Sequence, residues 1–279
     1  MSTFKSIDDI LQNIERLPTL PKAVTEIIRC IDDSNMTIND VAKPISSDIG
    51  LTTSILRFAN SARLSMHGNV ANINEAIMIV GLKQIREMVC LAGIKEIFPQ
   101  NNSSSFDYAK FWQHSVGVAV CARELAGLAG VNPSVAFISG MLHDIGQLIF
   151  TMAVPDEFQA AMDYRASHHC YDFEAEQIVL GTDHAKIGAY LAAKWWLPQV
   201  MCDAIEKHHM PDAAPTFIMA DLIHLSEVLA HALEMGHIGH PVPPLSEQSM
   251  SRLGISFSRL KPYLAHIECE HRNAVLMLS

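Results

Sequence analysis

The chain has 279 residues, is 49% hydrophobic and 18% charged, and carries a net charge of −10 at pH 7 with histidine neutral. That length allows one large domain or two smaller ones, with a core that needs no covalent staples. The acidic balance makes nucleic acid and anionic lipid poor partners, and no run approaches the ~20 apolar residues of a membrane span.

The start, MSTFKSIDDI, lacks the basic-then-apolar pattern of a signal peptide. Six scattered cysteines (Cys30, Cys90, Cys121, Cys170, Cys202, Cys269) form no CxxC pair, which fits reduced thiols in a cytoplasmic protein. From Ile7 to about residue 33 the apolar spacing is helical through Ile7, Ile10, Leu11 and Ile14, then Ala23, Ile27, Ile28 and Ile31. Leu17-Pro18-Thr19-Leu20-Pro21 interrupts it, and Asp32 to Asn35 end it. Thr37 is placed to cap a helix from Ile38. Asp48-Ile49-Gly50-Leu51 turns into another that runs through Ala59 and stops near Ser61-Ala62. This pair has the outline of a helix-turn-helix, but only Arg57 and Arg63 could serve as cations, so a packing unit is the better reading. After the loop His67-Gly68-Asn69, Asn72 or Asn74 can cap a helix through Ala92, with Gly81 as a bend or a close contact. Pro99 to Ser105, polar and without periodicity, is the expected boundary between an N-terminal helical lobe (1–100) and a second lobe (106–279).

The second lobe is also read as helical: Phe111–Leu128, a break at Gly130–Pro133, Ala136–Phe150, Tyr164–Leu180, His184–Trp196, a helix from Pro198 to His209, one from about Thr216 to Met235, a loop from Gly236 to Pro244, and short helices at Ser246–Leu253 and Ser256–Cys269. No stretch alternates at period two, so the protein is expected to be all-α.

The chemistry concentrates in Gly140-Met141-Leu142-His143-Asp144-Ile145-Gly146, a histidine and a carboxylate inside a strongly apolar run. A buried carboxylate must be paired, hydrogen-bonded or bound to metal. Imidazole and carboxylate make a partial shell for a divalent ion. Further donors recur on successive predicted helices: His114, His184, His208-His209, and Glu227 or Asp221. Helical bundles build metal sites from facing helices in this way. A hydrogen-bonded structural pair is the competing reading of His143-Asp144. His224 and His231 read as packing or surface, Glu174 and Glu176 as surface, and Trp195-Trp196 as core or lobe interface.

The order His114, His143-Asp144 and a late carboxylate resembles the HD phosphohydrolase superfamily, and His184 with His208-His209 resembles its binuclear-metal branch, which includes the HD-GYP phosphodiesterases. The resemblance is closest to the HDOD family, the HD-related output domain of bacterial signalling proteins. It rests on LPTLPKAV (17–24), ILRFANSA (55–62), INEAIMIVGLKQIR (73–86), GMLHDIG (140–146), GTDHAKIGAYLAAKWWLP (181–198) and AIEKHHMP (204–211). The resemblance implies an N-terminal helical lobe packed on an HD-like bundle, with metal ligands drawn from His114, His143, Asp144, His184, His208, His209 and Glu227. Glu227 is preferred to Asp221 as the late carboxylate, and Asp144 would be catalytic if the protein is active. Iron, manganese, nickel or zinc would suit the set, as one ion or two.

The HD-GYP pattern is incomplete: HHMPDAAP replaces its glycine-rich stretch, and Gln147 stands where HDIGK would supply a lysine. The favoured expectation is a signalling module acting through an unidentified protein partner. The alternative is a metal-dependent phosphohydrolase acting on a phosphorylated small molecule, whether phosphomonoester, phosphodiester or nucleotide.

Overall fold

The computed structural model describes residues 7–12, 17–31, 36–60, 70–98, 106–213, 215–236 and 242–276. Ile14, the stop at Asp32–Asn35, Ser61-Ala62, Arg63, the loop His67–Asn69, the boundary Pro99–Ser105 and residues 237–241 of the late loop lie outside them. Every regular element among the described residues is a helix, and the protein is all-α. The helices between 18 and 99 form one compact unit; helix α1 (Ile7–Leu11) and those from 106 to 272 form another.

The first unit contains α2 (Lys22–Arg29), α3 (Ile38–Ser46), α4 (Ile49–Ala59), α5 (Ile73–Val80) and α6 (Leu82–Glu96). Three of these five helices start on side-chain caps, α3, α4 and α5. Thr37 and Asp40 form a capping box, Asp48 accepts from the Leu51 N–H, and Asn72, not Asn74, accepts from the Glu75 N–H. Gly81 is a bend: its φ of 95° lies where side-chained residues are strained, and nothing crowds the position of an added Cβ. Val24, Ile27, Val41, Ile45, Leu51, Ile55, Ile77, Ile85 and Val89 are buried, the stripe that the three- and four-residue spacing places inside.

The second unit is built round α7 (Tyr108–Ala129), which packs most extensively on α8 (Pro133–Leu142) and α14 (Ile218–Ala232). Between them in sequence run α9 (Ile145–Ala153), α10 (Pro155–His168), α11 (Asp172–Leu180), α12 (His184–Lys194) and α13 (Gln199–Lys207); α15 (Glu247–Arg252) and α16 (Phe257–Val275) follow. Two expected helices are in fact pairs. Ala136–Phe150 divides at His143-Asp144, which close α8 and open α9. Tyr164–Leu180 divides at His169 to Tyr171, where His169 takes φ 53°, a left-handed value that ends α10. The first break is hidden from periodicity because α8 and α9 are both buried on nearly every side, so apolar residues run through it. The stretch 133–153 is long and apolar enough to cross a membrane, but 94% of its most apolar 18-residue window is buried in this unit.

Close approach of backbones fixes the elements round the break. A Cβ on Gly140 would press on the backbone of Ala119 in α7, and one on Gly146 would meet the carbonyl of His184 at the start of α12. The glycines that flank His143-Asp144 thus let α7 and α12 converge on that step. Trp195 is buried, in keeping with a core position, whereas Trp196 is 83% exposed and is not part of the core.

Candidate metal centre

The seven expected donors come from five places in the second unit. His114 lies on α7, His143 and Asp144 at the α8–α9 step, His184 at the first residue of α12, His208 and His209 just beyond α13, and Glu227 on α14. The fold brings all seven into one cluster. Asp144, His184, His208 and His209 each place a donor atom within 4.8 Å of the others; so do His114, His143 and Asp144, and so do His143, His208 and Glu227. Asp144 is central: its Oδ1 lies 3.1 Å from His184 Nε2 and 3.6 Å from His208 Nε2, and its Oδ2 lies 3.3 Å from His143 Nε2. Glu227 Oε2 is 3.7 Å from His209 Nδ1.

The histidines are oriented from behind. His143 Nδ1 donates to the Gly140 carbonyl (2.7 Å), His208 Nδ1 to the Ile205 carbonyl (2.7 Å) and His114 Nδ1 to the Met235 carbonyl (3.3 Å). A carbonyl only accepts, so each Nδ1 carries the proton and each Nε2 presents its lone pair when the ring is neutral. His184 Nδ1 meets Glu176 Oε2 at 2.7 Å, and the same oxygen accepts the His184 backbone N–H at 2.8 Å. His209 Nε2 faces His184 Nε2 at 2.7 Å, two ring nitrogens that need a proton or a cation between them. His143 Nε2, His208 Nε2 and Glu227 Oε2 are buried and make no hydrogen bond among the described residues. Buried polar atoms without partners are costly, and these converge. The donor set therefore fits a divalent cation, or two.

The electrostatics agree with the packing. Burial alone would raise the Asp144 carboxyl, but His143 and His184 outweigh it and hold it well below the usual carboxylate range. Burial likewise opposes a charge on His184, yet Glu176 and Asp144 keep that ring well above its ordinary value. His209 is pushed well below its ordinary value by burial and by His208 and His184. Burial raises Glu227 to about 7 and Glu176 to about 7, in each case against the pull of neighbouring histidine.

Sequence reasoning missed Glu176. Glu176, expected at the surface, is fully buried behind His184. His224 is indeed packed, but to a purpose: its Nδ1 donates to the His208 carbonyl at 2.8 Å and its Nε2 accepts from the Ser246 N–H at 3.2 Å. The His231 ring lies 4.8 Å from that of His114. Asp221 is absent from the cluster; it accepts from Ser249 and Arg252 instead. The cluster opens into a cavity of about 200 Å³, walled by Asp144, Gln147, Arg165, His184, His209 and Glu227 among others. Gln147 Nε2 donates to Asp144 Oδ2 at 3.4 Å, a long bond.

A helical bundle with histidines and carboxylates gathered at an HD step defines the HD class of protein. The HDOD domain model matches residues 17–211, and the chain belongs to the HDOD domain family. Its fold superposes on an HDOD domain protein of unknown function from Geobacter sulfurreducens with a TM-score of 0.81 at 24% identity, covering 95% of each chain. A Shewanella amazonensis SB2B protein, named provisionally as a phosphohydrolase, matches with a TM-score of 0.76 at 27% identity over 97% of this chain and 98% of that one. Among curated relatives, an uncharacterized protein of Treponema pallidum (strain Nichols) is 29% identical over 215 residues, 76% of this chain but 41% of that protein. Ribonuclease Y of Thermus thermophilus is 30% identical over 120 residues, 43% of this chain and 16% of the enzyme.

Proposed function

We propose that this chain is a metal-binding regulatory module of the HDOD type, in which His114, His143, Asp144, His184, His208, His209 and Glu227 hold a centre of one or two divalent ions and the helical surface engages a signalling protein. The observation that carries the metal reading is the donor set: His143, His184 and His208 turn Nε2 toward the Asp144 carboxylate at 3.1–3.6 Å, each held from behind at Nδ1 by the Gly140 carbonyl, Glu176 or the Ile205 carbonyl. Iron, manganese, nickel and zinc all accept such donors. The regulatory half rests on membership of a family of signalling output domains, and on the absence of a lysine or arginine at position 147 beside the cluster. The partner is a signalling protein, in a cytoplasmic setting.

A second reading, a metal-dependent phosphohydrolase, is favoured by the cavity into which the cluster opens. A bound metal supplies Lewis acidity toward a phosphoryl oxygen and a water of lowered pKa. Asp144 would orient that chemistry, and Gln147 and Arg165 would face the substrate from the cavity wall. The name of the Thermus relative makes RNA one phosphodiester to try. The two readings separate in one experiment. Metal-loaded protein is assayed with bis-p-nitrophenyl phosphate, a set of nucleotides and a short RNA, in parallel with Asp144→Ala. Turnover lost in the variant supports the hydrolase; metal bound stoichiometrically with no turnover supports the regulatory module.

A further inference from the structure

Trp196 occupies a backbone position that strains any residue with a side chain. It lies just past the C-cap of α12, at φ 59°. Two hydrogen bonds close the helix around it: the Trp196 N–H donates to the Ala193 carbonyl at 3.0 Å, and the Leu197 N–H to the Ala192 carbonyl at 3.1 Å. That pair is the Schellman termination, whose left-handed residue is usually glycine because a Cβ is crowded there. For a bulky residue such a φ is an outlier. The other side-chained residues with positive φ among the described residues, His169 and Glu234, are polar. Burial does not offset the strain, since Trp196 is 83% exposed while Leu197 beside it is buried. Glycine would serve the fold here at least as well as tryptophan does.

The surface beside it has a definite chemistry. Val200, near the start of α13, is 43% exposed. Lys194, the last residue of α12, is exposed and meets no carboxylate among the described residues; its Nζ rests 5.1 Å from the centre of the Tyr190 ring. The other lysines of these two helices are paired, Lys186 with Asp183 at 2.8 Å and Lys207 with Glu206 at 3.4 Å. We infer that Trp196, Val200 and Lys194 form the docking surface for an acidic amphipathic segment of another protein, whose apolar side chains cover the indole and whose carboxylate pairs with Lys194. This rests on the reading of the chain as a regulatory module, and it names the surface and the chemistry of the partner. Charge selects that partner. A short acidic segment meets the unpaired ammonium locally, whereas an anionic lipid surface would face a chain of net charge −10. Area argues against a second copy: one exposed indole offers about 200 Å², well short of the ~800 Å² that each partner of a stable complex covers. A single tryptophan anchor suits a small, transient interface.

The test selects a random-peptide library displayed on phage against the full chain, then measures synthetic copies of the enriched peptides by fluorescence polarisation. Peptides that combine apolar residues with aspartate or glutamate are expected. Trp196→Gly should weaken them by about tenfold or more, and Lys194→Glu by about fivefold. Trp196→Gly should also unfold at a higher temperature than the wild type, because glycine relieves the left-handed position. A lower midpoint would show that the indole serves the fold and would overturn the inference. Enrichment of basic peptides, or no enrichment at all, would do the same. A dimer in sedimentation velocity that Trp196→Gly dissolves would assign the surface to a second copy, and binding to phosphatidylglycerol vesicles that the same variant abolishes would assign it to a membrane; either result overturns the acidic partner. Peptides that bind the wild type and both variants alike remove this surface but leave the regulatory reading standing. Turnover by metal-loaded protein counts against that reading and not against the surface.

Discussion

Glu176 does three things at one place. One oxygen accepts both the backbone N–H and the ring Nδ1 of His184, and the side chain is fully buried behind that ring. It thereby fixes where His184 begins α12 and which nitrogen faces Asp144. Residues of this kind govern metal affinity without touching the metal. Glu176→Ala is expected to lower metal affinity by about 10- to 100-fold. Glu176→Gln keeps the shape and one acceptor but loses the charge, so it should fall between the alanine variant and the wild type. Competition titration against a chromogenic chelator measures this, with circular dichroism to confirm folding. A folded glutamine variant and a folded alanine variant that both match the wild type would show that Glu176 only fills space. In sequence, Glu176 looked like a solvent-facing helical glutamate. Its signal is its distance of eight residues from His184, which only the turn at Gly181 to Asp183 converts into contact.

At the scale of elements, the HD step is made by a helix break rather than by a helix face. The sequence shows the apolar stripe and the two functional residues, yet their convergence depends on the turn between α8 and α9 and on Gly146 admitting the carbonyl of His184. Caps were legible because they act within four residues: Thr37 caps where the sequence places it, and Asn72 is one of the two caps it offers. Contacts across tens of residues were not. Asp221 illustrates the point, since its choice against Glu227 turns on Arg252 and Ser249, about thirty positions away. Arg252 donates to Asp221 and Asp212 and so ties α15 to α14 and to the segment after His209. Arg252→Ala would leave Asp221, which has no exposed surface, with its charge uncompensated; a loss of about 3 kcal/mol is expected from chemical denaturation. A loss below about 0.5 kcal/mol, the scale of an ordinary surface change, would contradict this. Acid should loosen the same clamp. The Asp212 carboxyl is held below its usual range by the Arg252 side chain, so its contribution is complete above the unfolded pKa of about 3.9 and is lost as pH falls through the lower folded value. The stability difference between wild type and Arg252→Ala should therefore shrink between pH 5 and pH 2, and a constant difference would rule the linkage out.

The whole molecule divides its labour. The unit between residues 18 and 99 is a set of short capped helices around an aliphatic core, and none of the buried donor clusters among the described residues lies in it. The unit from 106 to 272 buries Asp144, Glu227 and five histidines that an apolar core would not carry without compensation. A metal ion that binds only the folded state stabilises it by mass action, about 2.7 kcal/mol at a hundred times the dissociation constant. Added manganese or zinc is thus expected to raise the melting temperature, and a chelator to lower it; an unchanged melting curve would argue that the cluster is held by its own hydrogen bonds. The family and the helical class were legible from the motifs, which combine local spacing with rare residue types. The shape of the cavity was not, since it depends on which side chains of α9, α10, α12 and α14 stop short of one another. The most direct measurement is elemental analysis of purified protein beside Asp144→Ala, with both shown to be folded. Near-stoichiometric transition metal in the wild type, absent from the variant, is expected. A folded wild type that holds no metal even after reconstitution would contradict the metal centre on which the functional reading depends.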